Sequence, residues 1–299
     1  MRSFRSNLKP EFPRLLVLGG SGRLGGLLRR VWSLPGRAAP QLVWQARRPG
    51  DFAAFGGPSV VFDPLAEPGA LARAVAAAEA VLLLAGPARG TAEALSAHAA
   101  LAGAVLDCAG GRPVLLASSA AVYGRPAGRL CHEEDAPAPI SDYGRAKAAM
   151  EAVAAGWPGA VVLRIGNVAG ADALLGQPAP PGGRRLQVFA DGRAPRRSYI
   201  GPQALARALA RLVRLAVGGA ASGGAALPGV INLALPGAVG MEALLRAAGE
   251  GWQADPAPPE AIAAVELAVD RALALGLVPD LPVTAAGLVA DLRLEEGRA

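Results

Sequence analysis

Tyr143 and Lys147 stand four residues apart in a chain that contains only three tyrosines and two lysines, the other lysine being Lys9. Residues at positions i and i+4 lie on one face of a helix. A lysine ammonium beside a tyrosine favours the phenolate and lowers the tyrosine pKa from about 10 toward the working pH. The pair therefore predicts a proton donor and acceptor suited to interconverting an alcohol and a ketone. The alternative is a surface tyrosine packed on the aliphatic part of a lysine side chain.

Short apolar segments alternate with helical ones through the first half of the chain. Buried strands are predicted at residues 15–18, 42–44, 60–62, 81–84, 114–117 and 161–165, and helices at residues 24–32, 71–78, 91–109 and 143–155. Strands that alternate with helices in this way predict an α/β fold, a Rossmann-type doubly wound parallel sheet with helices on both faces.

The pattern changes after Asn167, where we expect a smaller lobe packed on the sheet. The predicted elements are a loop (177–185), a helix (202–217), a connector (218–229), a strand (231–235), a helix (241–249), a Pro-rich break (255–259) and two helices (260–275 and 284–292). These elements predict a dinucleotide-binding domain at residues 14–166, with helix 202–217 packing on it. They also predict a small substrate-binding lobe at residues 167–200 and 218–299.

A glycine-rich turn follows the first predicted strand and precedes the first predicted helix. Gly19, Gly22 and Gly25 form a G-x-x-G-x-x-G pattern, in which glycines allow a tight turn and a close approach to a pyrophosphate. The helix N-terminus then faces the phosphates. The predicted cofactor contacts in this turn are Gly19, Ser21, Gly22, Arg23, Leu24 and Gly25. The alternative is a bare structural turn.

The end of the second strand indicates which dinucleotide binds. An acidic residue there would bond the ribose 2′-hydroxyl of NAD, whereas this chain has Arg47 and Arg48, which suit the 2′-phosphate of NADP. We therefore predict NADP, with NAD possible; the alternative is that both arginines are solvated loop charges. Asp63, after the third strand, is either an adenine-side contact or a turn residue before Pro64. Ala85, after the fourth strand, completes the predicted cofactor site.

Several further motifs resemble one known family. The fifth strand ends in a Ser-Ser-Ala-Ala-Val-Tyr-Gly segment at residues 118–124, and similar family segments lie at residues 163–168, 197–200, 231–233 and 270–279. Together with the glycine turn and the Tyr143/Lys147 pair, they resemble the extended short-chain dehydrogenases/reductases, the NAD(P)-dependent epimerases and dehydratases. The resemblance runs along almost the full length of the chain.

The resemblance implies a role for each matching residue. Ser119 would hold the substrate oxygen, Tyr143 would be the general acid and base, and Lys147 would hold the nicotinamide ribose and tune the tyrosine. Tyr123, Asn167 and Arg197 match positions that line the site or approach the substrate. Three alternatives stay open: Ser119 as a strand-end serine bonded to backbone, Tyr123 as packing, and Arg197 as a surface charge.

The chain also departs from the family pattern. His98 stands where the family generally has an asparagine, and residues 255–265 contain no basic side chain where a second diphosphate-binding arginine is expected. A nucleotide-sugar substrate is therefore in doubt, and we expect a reductase or epimerase acting on a sugar-like or other small molecule. A dehydratase ranks lower, because Ala120 and Ala121 supply no extra acid–base pair beside the serine.

Composition argues against other classes of protein. The 28 arginines are scattered, and aromatic residues make up only 4% of the chain, so neither a basic patch nor stacking platforms favour nucleic-acid binding. The most apolar stretch, 70–86, is interrupted by Arg73 and Glu79, which argues against a membrane span. Two cysteines and a polar N-terminus without a secretory signal predict a cytoplasmic protein without disulfides or a metal site.

Two expectations concern what the fold is used for. A non-catalytic NADP-binding sensor or scaffold protein is the main rival to an enzyme, and proteins of that kind commonly lack the Tyr/Lys pair present here. A homodimer is possible from the family resemblance, and a small-molecule substrate is the expected partner.

Overall fold

The protein is described by a computed structural model over residues 12–49, 57–181, 183–222 and 226–294; Lys9 and parts of the predicted connector and lobe lie outside these ranges. The strands are β1 (Arg14–Leu18), β2 (Gln41–Ala46), β3 (Ser59–Val61), β4 (Ala80–Leu83), β5 (Val114–Ser119), β6 (Leu130–Cys131), β7 (Ala160–Ile165), β8 (Asn167–Val168), β9 (Arg184–Val188), β10 (Arg196–Arg197), β11 (Tyr199–Ile200), β12 (Val230–Leu233), β13 (Val239–Gly240), β14 (Trp252–Pro256) and β15 (Ala264–Leu267). The helices are α1 (Arg23–Trp32), α2 (Pro68–Ala76), α3 (Ala92–Asp107), α4 (Asp142–Ala154), α5 (Pro202–Ser222), α6 (Met241–Ala248), α7 (Asp270–Ala274) and α8 (Ala285–Leu292).

Seven parallel strands of the described chain form a central sheet, in the order β12-β7-β5-β4-β1-β2-β3. This arrangement confirms the predicted doubly wound α/β fold. The chain runs outward from β1 to β3 and then returns to place β4 on the other side of β1. In sheets of this kind, ligands bind beyond the carboxyl ends of the strands, at the point where the strand order reverses.

Helices cover both faces of the sheet because its strands are apolar on both sides. Leu15 and Val17 point to one face and pack with residues of α1 and α5. Leu16 and Leu18 point to the opposite face and pack with α2, α3 and α4. The alternation follows from the two-residue period of a strand, and the two layers hold the carboxyl ends of the strands in fixed positions.

The second half of the chain contains more strands than the sequence predicts. The end of the segment predicted as a loop, 177–185, lies in β9, which pairs in parallel with β14; the last two residues of β14 enter the segment predicted as a Pro-rich break. The helix predicted at 260–275 is wrong: β15 occupies residues 264–267, and only the short helix α7 follows it. Alanine-rich composition favours helix, but Val265 and Leu267 alternate with less buried neighbours and pair in the sheet β13-β10-β15-β6.

One predicted lobe segment belongs to the central sheet instead. Strand β12, within the segment we assigned to the lobe, pairs in parallel with β7 and forms an edge of the large sheet. Its short apolar run fits a buried parallel strand next to β7. The remaining division into a dinucleotide-binding domain and a substrate lobe stays a prediction.

None of the described helices is long and apolar enough to cross a bilayer. The described residues bring no three His, Cys, Asp or Glu side chains together in a way that suits a metal ion. Cys108 and Cys131 are free thiols.

Candidate active site

A cleft of about 430 Å³ opens at the carboxyl ends of the central strands. The glycine turn and the start of α1 form one wall, with Arg23 and Leu24 among the lining residues. The segment after β8 forms the opposite wall. Ser119, Tyr143 and Lys147 all line the space between the walls, so the fold brings the three predicted catalytic residues together.

Close packing of α4 on the end of β5 positions Tyr143 beside Ser119. The helix is capped by Ser141, whose hydroxyl accepts a hydrogen bond from the Gly144 amide at 3.1 Å. A Cβ atom on Gly144 would lie 2.6 Å from the carbonyl oxygen of Ala121. Only glycine permits this approach, which places Tyr143 beside Ser119 in the cleft.

The Ser119 hydroxyl also has a local structural contact. Its oxygen accepts a hydrogen bond from the Ala121 amide at 3.2 Å, at the start of the short 3₁₀ helix Ala120–Tyr123. The backbone contact that we named as the alternative is thus present, and it fixes the hydroxyl at the edge of the cleft. A hydroxyl has a donor and two acceptor positions, so this contact leaves capacity for a substrate oxygen.

The protonation behaviour of the pair differs from the simple expectation. Burial raises the pKa of Tyr143, while the hydrogen bond with Ser119 and the charge of Arg23 oppose that rise. Burial also lowers the pKa of Lys147 to about 7, against an opposing contribution from Glu151. Because the pKa of Tyr143 is raised above its ordinary value, the phenolate is not the stable form near neutral pH. Tyr143 is therefore a phenol here, which suits it to donate a proton.

A buried ion pair lies behind the catalytic face of α4. Glu151 follows Lys147 by one helical turn, and its carboxylate accepts three hydrogen bonds from Arg164 of β7, at 3.1 and 3.2 Å from Nε and 2.9 Å from Nη2. Glu151 also accepts a hydrogen bond from the Ser118 hydroxyl. This cluster was not predicted from the sequence, although the i+4 spacing from Lys147 to Glu151 was a signal for it.

His98 of α3 closes the cleft beside Tyr143. Its ring is 5.9 Å from the Tyr143 ring in an edge-on arrangement, and its Nε2 lies 2.9 Å from the carbonyl oxygen of Pro87. Because a carbonyl only accepts, Nε2 carries the proton and donates it. Burial and the charge of Lys147 lower the pKa of His98 to about 4, so the imidazole is neutral near pH 7.

The glycine turn is shaped by close backbone contacts. A Cβ on Gly19, whose φ is +89°, would lie 2.6 Å from the backbone of Ala85, and one on Gly25 would lie 2.6 Å from the carbonyl of Gly20. The buried side chain of Gln45 holds this turn by accepting a hydrogen bond from the Gly19 amide at 3.1 Å. Gln45 was missed in the sequence analysis, where a buried polar residue ending an apolar strand was the available signal.

A second cleft of about 420 Å³ continues from the glycine turn toward β2 and β3. Ser21, Arg47, Asp63 and Ala85 line it, and it shares Gly19, Gly22, Leu84 and Gly86 with the first cleft. Arg48 is exposed and does not line it. Asp63 also accepts hydrogen bonds from the amides of Leu65 and Ala66, as a turn residue does. The two adjoining clefts around a glycine cradle fit a dinucleotide.

The predicted substrate residues separate into two groups. Asn167 lines the first cleft, but Tyr123 is buried elsewhere, with its hydroxyl donating to Asn232 at 2.6 Å. The expectation that Tyr123 lines the site is therefore corrected to the packing alternative. Arg197 also lies outside the first cleft, and its guanidinium donates to the backbone carbonyls of Arg196, Ile262 and Ala263. Tyr123 and Arg197 matched sequence motifs, which do not specify where a side chain points.

One residue that the sequence did not predict lies on the wall formed by the segment after β8, which we call the lobe wall. Asp172 lines the cleft opposite the glycine turn. Its carboxylate accepts hydrogen bonds at 2.9 Å from the Tyr199 hydroxyl and at 2.9 Å from the Leu175 amide. Burial raises the pKa of Asp172, and these hydrogen bonds oppose the rise.

Comparison with known proteins defines the class of this protein. A sequence model described as the NAD dependent epimerase/dehydratase family matches residues 15–187. The chain belongs to this family, which confirms the resemblance to the extended short-chain dehydrogenases/reductases and the prediction of an enzyme of that type. A search of curated proteins found no match.

Solved structures share the fold at low sequence identity. UDP-glucose 4-epimerase from Brucella ovis, in complex with NAD, has a TM-score of 0.73 and 21% identity, over 93% of this chain and 97% of that chain. The dTDP-glucose 4,6-dehydratase DesIV from Streptomyces venezuelae, with NAD bound, has a TM-score of 0.70 and 20% identity, over 94% and 97%. A short-chain dehydrogenase/reductase superfamily protein from Agrobacterium tumefaciens, with bound NAD, has a TM-score of 0.71 and 18% identity, over 94% and 96%.

Proposed function

We propose that the protein transfers a hydride between a bound nicotinamide dinucleotide and a carbinol or carbonyl carbon of a small, sugar-like substrate. The observation that carries this proposal is the convergence of Ser119, Tyr143 and Lys147 on one cleft beside the glycine turn. When bound, the nicotinamide supplies the hydride chemistry, while the protein orients and polarises the substrate.

Each of the three side chains has a distinct task. In the reducing direction, the Ser119 hydroxyl and the Tyr143 phenol hydrogen-bond the carbonyl oxygen of the substrate, and Tyr143 donates its proton to it. The raised pKa of Tyr143 keeps this proton in place until the carbonyl is reduced. Lys147 is anchored by donating to the Ala117 carbonyl oxygen at 2.6 Å, which leaves its other donors for the ribose of the cofactor.

The cofactor we propose is NADP, with NAD as the competing choice. Arg47 supports NADP because it lines the second cleft and makes no hydrogen bond or ion pair within the described chain. The similar solved structures carry NAD. The variant Arg47→Gln decides between them: it should weaken NADP binding and leave NAD binding unchanged, as measured by titration calorimetry. Equal affinities of the unsubstituted protein for both cofactors would contradict the proposal that Arg47 binds the 2′-phosphate of NADP.

A reductase or an epimerase fits the cleft better than a dehydratase. The 3₁₀ helix that follows Ser119 begins with Ala120 and Ala121, which supply no acid–base group. The Tyr143/Lys147 pair and the family membership both argue against the alternative of a non-catalytic NADP-binding sensor. A homodimer is also a prediction that we retain.

Substitution of Tyr143 tests the proposed chemistry. Tyr143→Phe should lower turnover at least about 100-fold while the midpoint of thermal unfolding still rises with cofactor. Turnover is followed by the absorbance of the reduced nicotinamide, with NAD and NADP and a panel of sugar and carbonyl substrates. Tyr123→Phe is the matched control, because this buried phenol lies outside the cleft and its loss should leave turnover intact. Full activity of Tyr143→Phe would overturn the mechanism.

A further inference from the structure

Among the residues that the structure describes, the lobe wall of the first cleft carries a single charged group, the carboxylate of Asp172. The hydrogen bonds from Tyr199 and from the Leu175 amide hold it in a fixed orientation. It forms no ion pair with any residue in the described ranges. A carboxylate oxygen has two acceptor positions, so the oxygen that Tyr199 contacts can accept another hydrogen bond from a ligand.

Charge is distributed unequally across the cleft. Arg23 and Lys147, the cations that line it, belong to the dinucleotide-binding part, Arg23 at the start of α1 and Lys147 on α4. The lobe wall offers Asn167 together with the small or apolar residues Val168, Ala171 and Ala173. An anionic group on the substrate side would therefore meet the charge of Asp172, which hydrogen bonds hold in place, with no described cation on that wall to offset the repulsion.

Arg197 does not supply the missing cation. Its Nη2 donates to the Ile262 carbonyl at 2.9 Å, and its Nη1 donates to the carbonyls of Arg196 at 2.8 Å and Ala263 at 3.4 Å. The guanidinium thus holds β10 against the chain that leads into β15. Turning it toward a diphosphate would break these hydrogen bonds, including the 2.9 Å bond to the Ile262 carbonyl, which is unfavourable for half-buried groups.

We propose that the substrate is a neutral polyhydroxylated molecule, such as a free sugar or polyol without a nucleotide diphosphate, and that Asp172 accepts hydrogen bonds from its hydroxyl groups. This inference rests on the proposed function, because it assigns the substrate class of the same cleft. A charged acceptor strengthens a hydrogen bond to a hydroxyl. The same charge repels a diphosphate, so one residue both recognises the substrate and rejects nucleotide sugars.

Binding to the cofactor-loaded protein tests the inference without requiring turnover. The protein is saturated with whichever dinucleotide stabilises it, and calorimetry is performed with UDP, UDP-glucose and a panel of free aldoses and alditols at millimolar concentrations. We expect at least one free sugar or polyol to bind, and UDP and UDP-glucose to give no heat. Asp172→Asn should weaken binding of that sugar about tenfold.

Two variants control for indirect effects. Asp280→Asn removes an exposed carboxylate elsewhere in the C-terminal region and should leave sugar binding unchanged. Tyr199→Phe removes the hydroxyl that holds Asp172 but keeps the carboxylate, so it should weaken binding less than Asp172→Asn does. An equal loss in both variants would assign the effect to loop structure and would overturn the recognition role of Asp172.

The outcomes separate this inference from the proposed function. Binding of UDP or UDP-glucose to the unsubstituted protein would overturn the substrate class, and so would the absence of binding by every free sugar and polyol. If UDP-glucose is oxidised in a Tyr143-dependent reaction, the substrate class fails while the proposed function stands. If a free sugar binds through Asp172 but no hydride transfer occurs with any substrate, the proposed function fails while the substrate class stands.

Discussion

The Nζ of Lys147 donates to the carbonyl oxygen of Ala117 at 2.6 Å, across the interface between α4 and β5. Lys147 is only 4% exposed, so its ammonium exchanges most of its hydration for this one carbonyl. Glu151 partly offsets the loss, but the effect of burial is larger and the pKa falls to about 7. Burial of the Lys147 ammonium therefore lowers the free energy of unfolding of the protein.

Replacement of Lys147 by methionine should reveal this cost. Because the pKa of Lys147 is lower in the folded protein than in the unfolded chain, the unfolded chain binds more protons between about pH 7 and about pH 10.4. The free energy of unfolding then rises with pH across that window, and the unfavourable contribution is fully present below it. Lys147→Met should have a higher unfolding midpoint than the unsubstituted protein near pH 6.5, and the difference should shrink toward pH 10.

Thermal unfolding of both proteins between these pH values is the measurement. Arg145→Met is the control, because Arg145 is exposed on the same helix and its ion pair with Asp142 lies at the surface. A difference between Lys147→Met and the unsubstituted protein that does not change with pH would contradict the assigned pKa.

Arg164 and Glu151 are expected to be strongly coupled. Their side chains are 4% and 8% exposed, and removal of one partner leaves the other charge buried without compensation. Arg164→Met should lower the free energy of unfolding by about 3–5 kcal/mol, measured by denaturant titration. Adding Glu151→Gln to that variant should recover part of the loss. Losses that simply add would show that the two groups do not depend on each other.

Local spacing made the catalytic face predictable. The i, i+4 rule placed Tyr143 and Lys147 on one side of α4, and the strand–glycine–helix order placed the turn residues 19–25 at the sheet edge. These patterns depend on residues close in sequence, and the geometry of a helix or a tight turn fixes the outcome.

Contacts between distant segments were not predictable in the same way. A hydrogen bond from the Tyr199 hydroxyl holds Asp172 at the cleft wall. The Arg197 guanidinium donates a hydrogen bond to the Ile262 carbonyl, more than sixty residues later in the chain. Strand β15 was missed because an alanine-rich segment favours a helix by itself, whereas pairing with β10 and β6 stabilises the strand. Single-sequence patterns carry no information about such partners.

Two adjacent glycines of α1 should respond differently to alanine. A Cβ on Gly25 would lie 2.6 Å from the carbonyl oxygen of Gly20, whereas one on Gly26 would meet nothing within 4 Å. Gly25→Ala should therefore be destabilising by about 1–3 kcal/mol, through overpacking against backbone. Gly26→Ala should be neutral or stabilising by up to about 1 kcal/mol, because alanine is the better helix former. Denaturant unfolding of both variants provides the comparison, and similar values would show that the turn yields to the added methyl group.

Lowering the pH should reduce the free energy of unfolding, because acid favours protonation of the buried His98 imidazole. The imidazole is neutral and buried, and its Nε2 donates to the Pro87 carbonyl, so protonation would place a second donor and a charge in the same site beside Lys147. The pKa of His98 is about 4 in the folded protein, below the value of about 6.5 expected for the unfolded chain. Between these values the unfolded chain binds the additional proton, so this contribution to stability is present above about pH 6.5 and is lost as the pH falls toward 4.

The decrease in the free energy of unfolding that comes from His98 should reach about 2 kcal/mol when solvent screening is allowed for. His98→Asn keeps a polar side chain but cannot titrate, so its stability should vary less with pH across this window. His132→Asn removes the other histidine, which is exposed, and should retain the pH dependence of the unsubstituted protein. Denaturant titrations at pH 7, 5.5 and 4.5 provide the test. The same pH dependence in all three proteins would assign the acid sensitivity to carboxylates and would contradict the contribution predicted for His98.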